Sequence, residues 1–281
     1  MINVQSYNGR LVDWMGLMAG VPNEEYHAAD GISKSGLDLI AKSPAHYACR
    51  SFSAGTRNMQ IGSATHAAIL EPDVFDKQYH IIQVSDRRQK AWKDAVAHYG
   101  EAFCLLPSDA ANILAMRDAV NDNEQARKLV SGQGYRELSA RAKDPQTGAL
   151  VRCRYDLLAY GMAVDLKTTQ SAIKEDFSRS VMTYRYHVQA ALYSDVYEWI
   201  TGNPLEAFWF VAVEPQPPYT VACYLLDDDA IDFGRHEYRK DLNVYAHCQQ
   251  TGDWSKYEPD SEYLPLPAWA QPYIDEALGY V

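Results

Sequence analysis

The spacing of apolar and polar residues changes in character near residue 134. Three runs after that point, "GYRELSARAKD", "ALVRCRYDLLA" and "MAVDLKTT", alternate polar and apolar side chains, and the turn segments "PQTG" and "YG" separate them. Alternation at period two between tight turns is typical of antiparallel strands. The sequence therefore predicts a three-stranded antiparallel meander.

Helical spacing and helix-boundary residues dominate on both sides of this meander. The first predicted helix, "SKSGLDLIAKSP", contains Ser35 and Asp38 at the spacing of a capping box, and Pro44 closes it. The other predicted helices are a short segment after Pro44, "IGSATHAAILEP" ending at Pro72, most of residues 86–130, "AIKEDFSRSVM", "YRYHVQAALYSDVYEWI" and "DDDAIDFGRHEYRKDLNVYAHCQQ". The remaining strand candidates are "QYHIIQV", "EAFWFVAVEP" and "YTVACYLLD".

This order of elements predicts an α/β fold of the mixed α+β kind, in which helices flank a central mixed β-sheet that includes the antiparallel meander. We expect a single domain over residues 1–281. Its parts are entry helices at 26–72, a helical insertion at 86–130, a core at 134–227, and a C-terminal helix and tail at 228–281.

Two opposite charges mark the end of the third predicted strand. Side chains alternate across a strand, so Asp165 and Lys167 share one face and Leu166 points to the other. Glu137 on the first strand and Asp156 near the end of the second add two more carboxylates nearby. Carboxylates about 4 Å apart repel by about 4 kcal/mol at an effective dielectric constant of about 20. The cluster therefore predicts a bound cation, and oxygen ligands suit magnesium or manganese.

The composition fits an ordinary globular protein, with 281 residues of which 47% are hydrophobic and 22% charged. No segment approaches the roughly 18 uninterrupted apolar residues of a membrane span, and the first residues do not resemble a signal peptide. We therefore expect a cytoplasmic protein without a membrane partner.

The formal net charge of −11 argues against a nucleic-acid partner, because phosphate contacts need lysine and arginine. The distribution of charge weakens this objection. Residues 50–190 hold 19 Lys and Arg against 16 Asp and Glu, whereas the rest of the chain holds 7 against 21. The acidity lies in the two flanks, so a basic surface in the middle region stays possible.

Several short motifs resemble those of a known nuclease superfamily. Asp156 in "RYD" and Asp165 with Lys167 in "VDLK" resemble the D…(D/E)-x-K signature of the PD-(D/E)xK nucleases, with Tyr155 where the family name has a proline. Residues 62–66, "GSATH", resemble the G-x-x-x-H element of the RecB-like members. "QAALY", which ends at Tyr193, resembles their Q-x-x-x-Y element, and "SKSGLDLIAKSPAHY" resembles their entry helices.

In this order the motifs are most similar to the RecE type, exonuclease VIII of prophage recombination systems. The resemblance implies a magnesium-dependent exodeoxyribonuclease, with manganese as a substitute metal, that degrades linear double-stranded DNA from its 5′ ends. The remaining 3′ single-stranded tail would serve recombination by strand annealing. The implied partners are double-stranded DNA ends, further copies of the chain in a trimeric or tetrameric ring, and a single-strand annealing protein.

The resemblance also assigns candidate roles to individual residues. The candidate metal ligands are His66, Glu137, Asp156, Asp165 and the carbonyl of Leu166. The candidate catalytic residues are Lys167, Asp165, Asp156, Glu137, Gln189 and Tyr193. Among them, a protonated Lys167 would steer the attacking water, while Gln189 and Tyr193 would contact the phosphate or brace the site.

Two other functions stay open at this point. One is a RecB-like endonuclease of repair or restriction, although the iron–sulfur cluster of many such enzymes needs a cysteine spacing that this chain lacks. The other is an inactive nuclease-fold scaffold that binds DNA. Cleavage of a closed DNA circle would identify the endonuclease, and absence of metal binding would identify the scaffold.

If the chain forms a ring, basic residues of the middle region would line its channel. The candidates are Arg87, Arg88, Lys90, Lys93, Arg141, Arg152, Arg154, Arg179 and Arg185. The acidic tail "SEYLPLPAWAQPYIDEALGYV" is rich in proline and aromatic residues. It would pack on a neighbouring subunit, recruit a partner or tie down the terminus.

Overall fold

The computed structural model describes residues 2–9, 14–51, 55–159, 161–255 and 266–278. Its main sheet has seven strands in the order β1-β2-β5-β6-β7-β8-β9, and β3 and β4 form a separate two-stranded sheet. The strands are β1 (Val4–Ser6), β2 (Gly16–Ala19), β3 (His80–Ile81), β4 (Cys104–Leu105), β5 (Tyr135–Lys143), β6 (Leu150–Ala159), β7 (Met162–Thr168), β8 (Ala207–Val213) and β9 (Val221–Leu225).

Helices cover both faces of the main sheet. They are α1 (Asn23–Ala28), α2 (Lys34–Lys42), α3 (Pro44–Ala48), α4 (Arg57–Leu70), α5 (Pro72–Gln78), α6 (Lys90–Tyr99), α7 (Pro107–Asp122), α8 (Glu124–Val130), α9 (Lys174–Thr183), α10 (Tyr186–Thr201), α11 (Asp228–Thr251) and α12 (Gln271–Leu278). No helix within the described ranges is both long and apolar enough to span a membrane.

The predicted meander is confirmed, since β5, β6 and β7 pair antiparallel in sequence order. The next strand, β8, pairs parallel with β7 and antiparallel with β9, so the sheet is mixed as predicted. The antiparallel hairpins need only short turns, whereas the parallel β7–β8 pair needs a long crossover, which α9 and α10 provide. β7 is therefore a central strand with a neighbour on each side.

Two hydrophobic clusters fill the space between the sheet and its helix layers. One face of the sheet packs against α2, α10 and α11, through residues such as Leu37, Leu192 and Leu242. The other face packs against α4, α7 and α8, and Leu166 belongs to this second cluster. Burial of apolar surface on both faces, at about 25 cal/mol per Å², is the main stabilising term of such a three-layer arrangement.

Several predicted boundaries are wrong. Ser33, rather than Ser35, caps α2, because its side chain accepts the hydrogen bond from Gly36 N–H. Pro72 begins α5 instead of only ending α4, since proline fits the first helical turn. The predicted strand "QYHIIQV" is only two residues long, and the region 86–130 contains β4 between its helices. The strands β1 and β2 were not predicted.

Arg141 and Arg152, two of the basic residues expected to line a channel, are buried instead. Arg141 donates a hydrogen bond to the carbonyl of Trp14 at 3.3 Å. Arg152 donates to the carbonyls of Gly31 at 3.0 Å and His27 at 3.2 Å. Because backbone carbonyls hold these guanidinium groups inside the fold, the channel expectation is wrong for both residues.

Candidate metal centre

Strands β6 and β7 separate next to Asp156. Their last paired residues on this side are Leu157 and Val164, whereas β7 continues to pair with β8 as far as Thr168. The Asp156 carboxylate occupies the resulting opening, where its Oδ2 accepts a hydrogen bond from Leu166 N–H at 2.8 Å. The N–H and C=O of one strand residue point to the same side, so the Leu166 carbonyl also faces this opening.

The alternation of side chains reverses at Asp156 and at Glu137, which lies opposite it on β5. Tyr155 belongs to the hydrophobic cluster of the α10 face and Leu157 to that of the α4 face, although a regular strand would place both on one face. Glu137 has φ of 47°, in the left-handed region, a conformation that costs a non-glycine residue about 1–3 kcal/mol. The predicted alternation of side chains between the two faces is therefore wrong at these two acidic residues. The backbone is strained at Glu137.

Helix α4 brings an imidazole to the two carboxylates. His66 Nδ1 lies 3.3 Å from Asp156 Oδ2. One ligand atom each from His66, Glu137 and Asp156 can be chosen so that all three lie within 4.8 Å of one another. A divalent cation about 2.0–2.2 Å from each ligand needs those atoms about 3–4 Å apart. Small side-chain rotations would therefore bring the three groups around one ion.

Asp165, Lys167 and Gln189 form a second group on the α10 side of β7. Lys167 Nζ lies 2.7 Å from Asp165 Oδ2 and donates a hydrogen bond to Gln189 Oε1 at 3.0 Å. The Gln189 amide nitrogen in turn donates to Asp165 Oδ1. Burial by itself lowers the pKa of Lys167, but the carboxylates of Asp165 and Asp156 outweigh it and raise this pKa above its usual value. The lysine therefore remains a cation at neutral pH.

Burial and the charges of neighbouring carboxylates raise the pKa of two carboxyl groups in the first group. Burial is the main cause for Glu137, followed by the charge of Asp156, and together they raise its pKa to about 8. For Asp156, burial and then the charge of Asp165 raise the pKa to about 6. The nearby cations Arg154 and Lys167 offset only part of this effect, and a bound divalent cation would favour the charged form of both carboxylates.

A divalent cation fits the donor atoms of the site. Asp165 Oδ2 is buried and has no hydrogen bond of acceptable geometry, despite its contact with Lys167 Nζ. His66, Glu137 and Asp156 would be the first ligands, and the Leu166 carbonyl faces the same opening. Two carboxylates with one imidazole suit manganese and zinc as well as magnesium. The structure by itself does not join Asp165 to the His66 set.

The remaining predicted residue, Tyr193, lies on α10 and contacts Tyr155 of β6. Its backbone carbonyl accepts a hydrogen bond from Tyr155 Oη at 2.7 Å, and its ring packs edge-on against that of Tyr155. Burial raises the pKa of the Tyr193 hydroxyl well above its usual value, so the group stays neutral. Gln189 and Tyr193 thus lie on the sheet-facing side of α10, as their spacing of four residues predicted.

Sequence reasoning missed Arg154 and Tyr186 as neighbours of the site. Arg154 Nη1 lies 3.9 Å from Glu137 Oε2 and is held by the carbonyl of Val21. The Lys167 ammonium lies 4.5 Å from the centre of the Tyr186 ring. A signal for Arg154 was present in the sequence, since it precedes Asp156 by two residues on the same strand. Tyr186 joins the site only through the packing of α10 on the sheet.

Comparison with known proteins gives the class of this chain. A family described as "PDDEXK-like domain of unknown function (DUF3799)" matches residues 33–266, and the chain belongs to it. This match covers the entry helices, the meander and α10, so the superfamily suggested by the motifs is confirmed. No curated protein sequence matches the chain.

Two solved structures are similar to this chain to different degrees. The crystal structure of a "putative exonuclease" from Eubacterium rectale matches with a TM-score of 0.60 at 17% sequence identity, over 90% of this chain and 98% of that chain. A structure described as SSO0001 matches with a TM-score of only 0.29 at 12% identity, over 69% of this chain and 88% of that chain. The first of these two structures shares the fold of this chain, a central mixed sheet between helices.

The raised pKa of Glu137 predicts how the stability of the metal-free protein depends on pH. The folded state keeps the Glu137 proton up to a pKa of about 8, whereas the usual value is 4.5. The folded state therefore binds more protons between these values, and the free energy of unfolding falls as pH rises. Glu137→Gln is expected to make this decline shallower, leaving the part that the raised pKa of Asp156 causes, and to stabilise the chelated protein by about 1–2 kcal/mol at about pH 8, after allowance for solvent screening.

Urea unfolding in chelator at about pH 5 and about pH 8 measures this slope. Glu198→Gln, at an exposed carboxylate of α10, is the control and should leave the slope of the wild type unchanged. An identical slope in the wild type and Glu137→Gln would contradict the expectation.

Proposed function

We propose that this protein is a metal-dependent exodeoxyribonuclease that hydrolyses phosphodiester bonds at the ends of linear double-stranded DNA. One observation carries the proposal: a possible metal-binding set, His66, Glu137 and Asp156, lies beside a charged lysine that Asp165 and Gln189 hold in place. Membership in the PDDEXK-like family supports the same class of chemistry.

The roles of the residues follow from their positions. Asp156, His66 and Glu137 would bind magnesium, with manganese as a substitute, and Asp165 and the Leu166 carbonyl would complete the set. The bound metal would supply charge neutralisation at the scissile phosphate and acidify a water molecule. Lys167 would donate hydrogen bonds to that water and to the developing negative charge on the phosphate oxygens.

Gln189 and Tyr193 would act on this lysine and its surroundings. Gln189 binds both Asp165 and Lys167, so it fixes the direction of the ammonium group. Tyr193 would support β6 through Tyr155 and so keep Asp156 in the opening between the strands. Gln189 and Tyr193 would therefore orient Lys167 and Asp156, and they would not themselves supply charge to the scissile phosphate.

The finer assignment follows the resemblance to the RecE type. Digestion would run from 5′ to 3′ and leave a 3′ single-stranded tail for recombination of a phage or prophage kind. The chain would act in the cytoplasm as a homo-oligomeric ring together with a single-strand annealing protein. The order of the motifs along the sequence supports this assignment.

Digestion of linear and covalently closed circular double-stranded DNA tests the proposal. Each substrate is incubated with magnesium, with manganese and with chelator, and the linear DNA carries a fluorophore on either its 5′ or its 3′ end. We expect metal-dependent loss of the linear DNA alone, with release of the 5′ label as short products first. The metal is expected to be essential because two carboxylates beside a phosphate would otherwise repel it.

The other outcomes are distinct from one another. Cutting of the circle would replace the exonuclease with an endonuclease of the same superfamily. Absence of cleavage by folded protein, combined with no binding of magnesium or manganese in calorimetry, would replace it with the inactive scaffold. Release of the 3′ label first would reverse the proposed polarity and leave the exonuclease intact.

A further inference from the structure

An exposed aromatic side chain lies two residues from the ring that contacts the candidate catalytic lysine. Tyr184, at the end of α9, is 59% exposed. Its ring stacks on that of Tyr186, with centroids 5.6 Å apart and planes inclined by 27°. Tyr186 in turn lies 4.5 Å from Lys167 Nζ. A chain of direct contacts therefore links the exposed ring to the candidate active site.

The backbone that presents Tyr184 is held in an unusual conformation. Arg185, between the two tyrosines, has φ of 54° and ψ of 44°, in the left-handed region that non-glycine residues rarely adopt. Such a conformation persists only where the surroundings enforce it, and it is found most often at functional sites.

Charged side chains from two other helices enforce this conformation. The Arg185 guanidinium donates hydrogen bonds to Asp38 on α2, at 3.1 Å, and to Asp241 on α11. Lys34 donates a hydrogen bond to the carbonyl of Tyr184 and pairs with Asp38 at 2.7 Å. Helices α2 and α11 thus fix the turn between α9 and α10, and Tyr184 stays in place although its ring faces solvent.

From this arrangement we propose that Tyr184 is a stacking platform for a nucleobase of the DNA strand that is cut. The proposal rests on the proposed function, because it takes the substrate to be DNA with its scissile phosphate at Lys167. Aromatic rings bind bases of any sequence through their faces. A rigid exposed ring near the reacting phosphate therefore holds the strand in position without selecting a sequence. Tyr184 would be a positioning residue.

The first test measures binding in the Lys167→Ala background, in which the DNA stays intact. Duplexes carry the fluorescent base 2-aminopurine at successive positions from one 5′ end, in the presence of magnesium. We expect quenching at a discrete position, retained in Tyr184→Phe and lost in Tyr184→Ala. The dissociation constant is expected to rise about tenfold in Tyr184→Ala, as for loss of one base–aromatic stack. Tyr99→Ala, at an exposed ring on α6, is the matched control.

The second test separates positioning from chemistry in the otherwise wild-type protein. Tyr184→Ala is expected to raise KM about tenfold and to change kcat at saturating DNA by less than about twofold. Tyr184→Phe should behave as the wild type. If Tyr184→Ala changes neither the DNA affinity, nor the quenching pattern, nor KM, the stacking role is overturned while the proposed nuclease activity stands. A wild type that cleaves no DNA would instead overturn the proposed function.

Discussion

Lys167→Ala is expected to reduce DNA hydrolysis by about 10³-fold, as for removal of a donor that stabilises charge in the transition state. The ammonium is held by Asp165 and Gln189 beside the Asp156 opening, which places it where negative charge would develop. Single-turnover digestion of linear DNA at saturating magnesium measures the effect on the chemical step. Binding of DNA should change far less than hydrolysis.

The variant also removes the partner of a buried carboxylate. Asp165 is 3% exposed, and removal of one partner of a buried ion pair destabilises a fold by about 3–5 kcal/mol. Circular dichroism therefore tests whether Lys167→Ala is folded. Lys167→Met, which keeps most of the side-chain volume, is assayed beside it. Lys128→Ala, at an exposed lysine of α8, is the control. Turnover above a tenth of the wild-type value in folded Lys167→Ala would contradict the role of Lys167.

Asp156→Asn is expected to abolish both metal binding and hydrolysis, again by at least about 10³-fold in rate. Asp156 is the centre of the site, since it contacts His66 and accepts the hydrogen bond from Leu166 N–H. The asparagine side-chain oxygen can keep the hydrogen bond to Leu166, so the opening between β6 and β7 should persist. The substitution removes a charge whose pKa is raised to about 6, so the metal-free variant should be at least as stable as the wild type near neutral pH.

Thermal unfolding with and without metal separates these two effects. Manganese or magnesium is expected to raise the Tm of the wild type, because a ligand that binds only the folded state stabilises it. Asp156→Asn should lose this rise while its Tm in chelator equals or exceeds that of the wild type. Equal metal-induced rises in both proteins would show that the ion binds elsewhere.

Much of the fold was accessible from the sequence because its signals are local. The period-two runs after residue 134 predicted β5, β6 and β7, and the long helical runs predicted α10 and α11. The strands β1 and β2, at one end of the sheet, were missed because each has at most four residues, and β2 joins the sheet only by pairing with β5 from a distant part of the chain. The strand β4 was missed for the same reason, since its two residues pair with β3 across α6.

The candidate site likewise has features that the sequence predicted and features that only the tertiary structure shows. The sequence by itself determined which side chains share a face, because the spacing of Asp165 and Lys167 on one strand and of Gln189 and Tyr193 on one helix places each pair together. Only the tertiary structure decided that the alternation reverses at Glu137 and Asp156, which turns these carboxylates toward His66. That reversal depends on how the strands separate and on what α4 packs against, and neither is encoded in any short stretch of residues.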